Sequence, residues 1–185
     1  HTLQHSFPTR RSSDLEDLPR IREEYDRLTE AYMKRHREGR GFWFFHFNMD
    51  LSNGPCVAKR LSGCGAGHEY VAVAENGDLY PCHQFVGREG YKLGDIYEGI
   101  TNTELPQYFR ESHVLNKEKC RDCWARFFCS GGCHANADLF HGDIRKPYEV
   151  GCEIQKKRLE CAILVQALLA LEKMEKEEQT TADGE

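Results

Sequence analysis

Apolar positions recur at spacings of three and four from Glu16 to about Glu38: Leu18, Ile21, Tyr25, Leu28 and Tyr32. That period puts them on one face, so an amphipathic helix is expected, with Gly39 and Gly41 as stops. "FWFFHFNMDL" (Phe42–Leu51) follows, dense in aromatic residues, and reads as a buried strand. A helix leading into such a strand suits the last unit of an α/β sheet or barrel. "EYVAVAENGDLYPC" (Glu69–Cys82) places two short apolar runs around Asn76-Gly77, a hairpin signal. "YKLGDI" adds a possible strand, and Thr101–Val114 an amphipathic helix. Cys120–Cys133 is expected as a loop entering a helix near "CHANADLF". Val150–Glu178 predicts a long helix, with Ile154, Cys161, Leu164, Leu168 and Leu171 roughly on one face.

The first fifteen residues, "HTLQHSFPTRRSSDL", have neither period. From His5 to Leu15 they resemble the translation of a common sequencing-library adapter, and no packed element is expected there. The expected organisation is 1–15 as an artefactual or disordered segment, 16–55 as the last unit of an α/β sheet or barrel, 56–155 as a cysteine-rich domain, and 156–185 as a C-terminal helix with a frayed tail. The fold class is α+β.

Composition narrows the function. The 185 residues carry a net charge of -5, with 30% charged and 39% hydrophobic residues. Such a balance suggests neither nucleic acid nor an anionic membrane as partner. No apolar run approaches the ~20 residues of a membrane span, and no export signal stands out, so a cytoplasmic location is expected. Nine cysteines in a reducing compartment point to metal rather than disulfides, and the odd count does not fit complete internal pairing.

Four of those cysteines fall in "CRDCWARFFCSGGC", as Cys120-x2-Cys123 and Cys129-x3-Cys133. Upstream, twelve residues separate Cys64 from Gly77, and four more lead to Cys82; the turn at Gly77 brings Cys82 back towards Cys64. Cys152 opens the last helix, and Cys56 precedes Cys64 by eight positions. Eight thiols divide into two sets of four, and tetrathiolate ligation serves either a [4Fe–4S] cluster or a structural zinc. Cys161, on an apolar helical face, is expected as a small buried hydrophobe.

The spacing C-x(9–15)-G-x4-C, a gap, C-x2-C-x5-C-x3-C, a gap and C resembles the SPASM domain of radical S-adenosylmethionine (radical SAM) enzymes. Cys64, Gly77, Cys82, Cys120, Cys123, Cys129, Cys133 and Cys152 match it throughout. "GPCVAKRLSGCGAG", "YPCHQFVG", "CSGGCHANA" and "KPYEVGCEIQKKRLECA" look more closely like the maturases of SCIFF peptides, which form thioether bridges in a cysteine-rich ribosomal precursor peptide. The resemblance spans about Glu16–Glu172. It implies that Glu16–Leu51 ends the partial TIM barrel that binds S-adenosylmethionine.

It also implies two interleaved [4Fe–4S] clusters. Cys64, Cys82 and Cys133 would hold the first, with Cys56 either completing it or left free so that an iron is open to a substrate thiol. Cys120, Cys123, Cys129 and Cys152 would hold the second. Zinc in either set, within a non-catalytic binding module, is the alternative, as is a SPASM enzyme with another substrate. Trp124, Phe127 and Phe128 are expected around the cluster, excluding water; His68, His83, His134 and His141 are expected in solvated or supporting roles. Lys59, Arg60, Arg121 and Arg126 are expected on the solvated surface, the alternative being that they tune cluster charge or meet a peptide. The C-x3-C-x2-C loop with which radical SAM chemistry begins does not occur in this sequence. The resemblance thus implies a C-terminal fragment without catalytic or S-adenosylmethionine-binding residues. A third [4Fe–4S] cluster and S-adenosylmethionine would belong to the N-terminal part of a longer enzyme. There a 5′-deoxyadenosyl radical would abstract a substrate hydrogen and a peptide cysteine would attack that carbon, with an electron-donor protein as a further partner.

Overall fold

The computed structural model describes residues 15–48 and 56–182. The expectations for 1–14 and for the end of the aromatic segment, 49–51, lie outside them. The chain divides into two compact units, one of residues 1–49 with 153–185 and one of residues 50–152. Its elements are helices and a small antiparallel sheet, an α+β composition.

In the first unit a short 3-10 turn, Leu15–Asp17, leads into α1, Leu18–Arg37. Pro19 sits in the first turn, where its missing N–H costs nothing. The helix ends as the sequence predicts: Gly39 takes a left-handed φ of 70° and donates to the His36 carbonyl. Leu18, Thr29, Tyr32 and Met33 are buried. Thr29 is tolerated in this core because its hydroxyl donates to the Tyr25 carbonyl at 2.8 Å.

Phe42–Asn48 is not a strand. Phe47 N–H donates to the Phe44 carbonyl at 2.9 Å, closing a turn. The reason is side-chain direction. Phe44 and Phe47 are three residues apart, so a strand would send them to opposite faces. The turn sets their rings edge to face with centroids 4.8 Å apart, and brings Phe47 edge-on to Tyr32 at 5.3 Å. Burying both rings in one cluster outweighs the local preference for extended backbone. Trp43 and Phe45 remain exposed.

The long helix, here α7, covers Glu149–Ala182. Leu159, Cys161, Ala162 and Val165 are its buried residues in the first unit. Leu164 and Leu171, expected on the packed face, are 50% and 54% exposed. The packed stripe is thus turned roughly one residue, about 100°, from the expected one. Cys161, Ala162 and Val165 join Tyr32, Met33 and Phe47 in one core, with Leu168 and Leu169 at its edge. Cys161 is a buried small hydrophobe, as expected.

In the second unit a four-stranded antiparallel meander runs in the order β1-β2-β3-β4. Its strands are β1 (Ala72–Val73), β2 (Asp78–Tyr80), β3 (Gly94–Asp95) and β4 (Gly99–Ile100). β1 pairs with β2 as Ala72↔Tyr80 and Val73↔Leu79. The expected hairpin is present, but its loop has three residues. Ala74 N–H donates to Asp78 O, Gly77 N–H donates to Ala74 O, and Gly77 alone takes a positive φ, 87°. That is a turn closed by a glycine bulge, a form in which asparagine needs no left-handed backbone.

Short helices complete the unit: α2 (Val57–Arg60), α3 (Glu104–Glu111), α4 (Glu118–Arg121), α5 (Arg126–Cys129) and α6 (His134–His141). The core gathers Ala66, Tyr80, Cys82, Phe85, Phe109, Ala135 and Ile144. Cysteine-bearing segments therefore supply part of the core itself.

Candidate metal centre

Cys64 lies in a loop folded back by glycines. Gly67, at a φ of 81°, donates its N–H to the carbonyls of Tyr70 and of Pro81, both at 3.0 Å. The second contact fixes the loop after Cys64 against the residue before Cys82. Gly63, just before Cys64, donates to the Ser130 carbonyl at 3.2 Å. A Cβ at Gly63 would stand 3.4 Å from that oxygen, so the approach is a close one.

These hydrogen bonds bring Cys64, Cys82 and Cys133 to one neighbourhood, around Tyr70. Burial pushes the Tyr70 hydroxyl up to about 12, and its hydrogen bond to the Cys64 sulfur adds to this, followed by the charges of Cys64, Cys82 and Cys133. The Cys82 thiol is itself raised, first by burial, and by Cys133 and Cys64 against the lowering hydrogen bond from the Gln84 backbone. Cys64 and Cys133 are exposed; Cys82 is buried.

A second neighbourhood forms around Lys117. Cys120 N–H donates to the Lys117 carbonyl at 2.9 Å, and Cys123 N–H to Cys120 O at 3.0 Å. A further turn follows, with Cys129 N–H donating to Ala125 O at 2.8 Å, so Cys120, Cys123 and Cys129 sit on successive tight turns. Burial raises the Cys120 thiol; Lys117 opposes this, while Cys129 and Cys123 add to it. Burial pushes the Lys117 ammonium down from its ordinary value, and the charges of Cys120, Cys129, Cys133 and Cys152 oppose this.

Cys152 reaches this neighbourhood through the start of α7. Glu149, in its first turn, accepts from Lys119 Nζ at 2.5 Å and from His141 Nε2 at 2.9 Å, linking α7 to α4 and α6. Hydrogen bonding from Lys119 holds the Glu149 carboxyl down at about 2, with the His141 contact and Lys119 charge adding to it. A depressed carboxylate stabilises the fold above its unfolded value of 4.5, and the contribution is lost as pH falls towards about 2. Glu149 is 43% exposed, so screening keeps the effect to about 1 kcal/mol or less. Glu149→Gln is expected to remove that part of the acid sensitivity; denaturant midpoints measured between about pH 5 and pH 2 check it, parallel curves for the two proteins being the adverse result.

Between Cys129 and Cys133 the backbone is left-handed at three consecutive residues, Ser130, Gly131 and Gly132, with φ of 57°, 83° and 73°. Ser130 is the one non-glycine with positive φ among the described residues. This reversal separates Cys129, grouped with Cys120, from Cys133, which acts on Tyr70 and Cys82. Cys133 also acts on Lys117, so the reversal stands at the border of both neighbourhoods.

Cys56, exposed at the N-cap of α2, is absent from the charges that act most on Tyr70, Cys82 and Lys117. Among the described residues no three Cys, His, Asp or Glu side chains form a group arranged to hold a metal ion. Charge acts over a longer range than a metal–sulfur bond of about 2.3 Å, so the thiols share neighbourhoods without forming a coordination sphere.

Other expected residues divide. Phe127 and Phe128 are half-buried, but Trp124 is 50% exposed and excludes little water. It flanks Ala125, which takes the buried place instead. His134 is buried, bonded through Nε2 to the Ser112 carbonyl at 3.1 Å, and burial pushes it down to about 4, so it is neutral at pH 7. Lys117 and Tyr70 were not predicted. In "VLNKEKC" Lys117 looks like one of several solvated cations, and no periodicity marks it as buried.

Residues 64–124 match the family model of SPASM, an iron–sulfur cluster-binding domain. The match supports a SPASM domain here and, with it, iron–sulfur cluster binding. It includes Cys64, Cys82, Cys120 and Cys123; Cys129, Cys133 and Cys152 lie beyond it. No curated protein matches the chain. No helix among the described residues is long and apolar enough to cross a membrane.

Proposed function

We propose that this chain is the auxiliary-cluster region of a cytoplasmic radical SAM enzyme that forms thioether cross-links in a cysteine-rich ribosomal peptide. The observation that supports the cluster reading is the convergence of cysteine-bearing loops: Gly67 N–H donates to Pro81 O beside Cys82, Gly63 N–H beside Cys64 donates to Ser130 O in the Cys129–Cys133 link, and Cys120 and Cys123 follow one another in a turn started at Lys117. The SPASM match over 64–124 agrees with that chemistry. Thiol donors suit iron–sulfur clusters, and these seven residues would hold two [4Fe–4S] clusters, with Cys56 free or recruited to the first. When bound, such clusters supply electron transfer and ligation of a substrate thiolate.

The chain's own residues perform supporting tasks. Gly63 and Gly67 hold the Cys64 loop, Tyr70 engages Cys64, and Glu149 fixes the approach of Cys152. The peptide-maturase part of the reading rests on the resemblance of "GPCVAKRLSGCGAG", "CSGGCHANA" and their neighbours. The end of an S-adenosylmethionine-binding partial barrel before residue 56 rests on it too.

Anaerobic reconstitution with ferrous iron and sulfide tests the cluster reading. Iron and acid-labile sulfide in equal amounts, with the visible and paramagnetic signatures of [4Fe–4S] centres, are expected. Zinc alone, retained against iron, would replace it with a structural metal module. A gene for a small cysteine-rich peptide beside the longer reading frame supports the substrate class, and a sulfatase there argues against it.

A further inference from the structure

Lys117 is 1% exposed, a rare condition for lysine. Its Nζ donates to the Gly131 carbonyl at 2.9 Å, in the middle of the left-handed reversal between Cys129 and Cys133. A Cβ on Gly131 would stand 3.4 Å from that nitrogen and 3.3 Å from Val114, so glycine is what lets the backbone reach the ammonium. Lys117 is anchored on its own side by N–H donation to His113 O at 3.1 Å. Its carbonyl in turn receives the N–H groups of Cys120 and Arg121.

A buried ammonium needs an opposing charge. Among the described residues Lys117 makes no salt bridge with a carboxylate. Burial pushes the Lys117 ammonium down from its ordinary value, and the sulfurs that oppose this and favour the charged form are those of Cys120, Cys129, Cys133 and Cys152. Three belong to the second neighbourhood, and Cys133 borders the first. The Lys117 Nζ therefore grips, at Gly131 O, the backbone between Cys129 and Cys133, where the charges of cysteines from both proposed sets act on it.

We propose that Lys117 is a positioning residue that acts as the buried counter-charge shared by both cysteine sets, setting the potential of the clusters they hold and fixing the Ser130–Cys133 reversal between them. The inference rests on the cluster reading above. Coulomb attraction favours the more negative, reduced state of a cluster beside a fixed cation. Net charge and hydrogen bonding near the sulfurs are the means by which a protein moves such a potential.

Three variants of the full chain separate charge from packing. K117Q keeps a donor for Gly131 O and drops the charge, K117R keeps the charge, and K117M fills the stem with neither. The readouts are iron and sulfide content after anaerobic reconstitution and midpoint potentials from a redox titration followed by paramagnetic resonance. In K117Q and K117M the nearer cluster is expected to be harder to reduce by about tenfold in equilibrium constant, about 59 mV for a one-electron couple. K117R is expected to stay near wild type. Wild-type potentials in loaded K117Q would overturn the proposal. So would a K117R chain shifted as far as K117M, a comparison that stands even if K117Q does not fold. A wild-type chain that takes up no iron and sulfide would remove the cluster reading and this inference together, whereas a loaded wild type with unmoved variants removes only the role of Lys117.

Discussion

Replacing Phe109 with alanine is expected to destabilise the unit of residues 50–152 by about 3–5 kcal/mol, the range for a fully buried phenylalanine. Phe109 has no exposed surface and lies on α3, which carries no cysteine. Its ring meets a residue beside each cysteine of the first set. Gly67, three residues after Cys64, approaches so closely that a Cβ there would lie 3.0 Å from the ring. Phe85, three residues after Cys82, meets it edge to face at 5.4 Å. His134, directly after Cys133, does so at the same distance. One side chain is therefore the common floor under three segments far apart in sequence.

A domain of this kind has only about 5–15 kcal/mol of stability in all, so the loss is a large fraction of it. Urea unfolding of F109A against wild type, both without metal, gives the number through the shift in midpoint at unchanged slope. F45A serves as the control: Phe45 is 65% exposed, and its loss should stay within about 0.5 kcal/mol. A cost for F109A below about 1 kcal/mol would mean the ring does not support the three segments. Reconstituted F109A should also bind less iron, because the loops that present Cys64, Cys82 and Cys133 lose their shared contact.

The sequence made some of this accessible and concealed the rest, for physical reasons. α1 and its glycine stop were readable because a periodic face and a left-handed terminus are local features. Phe42–Asn48 misled because residue preference for extended backbone is weak beside the burial of aromatic rings. Spacing three in Phe44 and Phe47 favoured a turn once Tyr32 was available as their partner. The packed face of α7 was misjudged for a related reason. A helix with apolar residues at Cys161, Ala162, Leu164, Val165 and Leu168 has more than one possible stripe, and only its contact with Tyr32, Met33 and Phe47 selects among them. β3 was foreseen in "YKLGDI", but β4 has two residues and no sequence signal of its own.

The cysteine spacing made the SPASM pattern readable, and the family match over residues 64–124 takes in Cys64, Cys82, Cys120 and Cys123. What lay hidden was their setting. Lys117 and Tyr70 acquire their roles only when distant loops close on them. Ser130 gives no hint in sequence that it will take a left-handed φ of 57°. The hydrogen bond that holds the loop after Cys64 against the residue before Cys82 runs from Gly67 N–H to Pro81 O, backbone groups that no side-chain pattern reveals.

The largest effect is expected from cysteine substitution, and it can decide how the thiols are shared. If Cys64, Cys82 and Cys133 serve one cluster and Cys120, Cys123, Cys129 and Cys152 another, any single loss should affect one cluster. Each four-iron cluster contributes about half of the bound iron, so C82A and C133A should each lose up to about that share. The double variant C82A/C133A should lose hardly more than either alone, because both remove the same cluster. C82A/C152A should lose nearly all iron and sulfide, because each removes a different one. This is a double-mutant comparison in which strong non-additivity marks a shared centre. The physical basis is the grouping of charges: Cys133 acts with Cys64 on Cys82, while Cys152 acts with Cys120 and Cys129 on Lys117. Cys133 also acts on Lys117, so the opposite allocation is a definite competitor. It predicts the reverse pattern, with C120A/C133A no worse than either single variant and C82A/C133A stripped of both clusters. Iron and acid-labile sulfide per chain, measured after anaerobic reconstitution of the four single and three double variants, separate the two. Equal, small losses in every variant would instead show that these thiols hold no cluster in common.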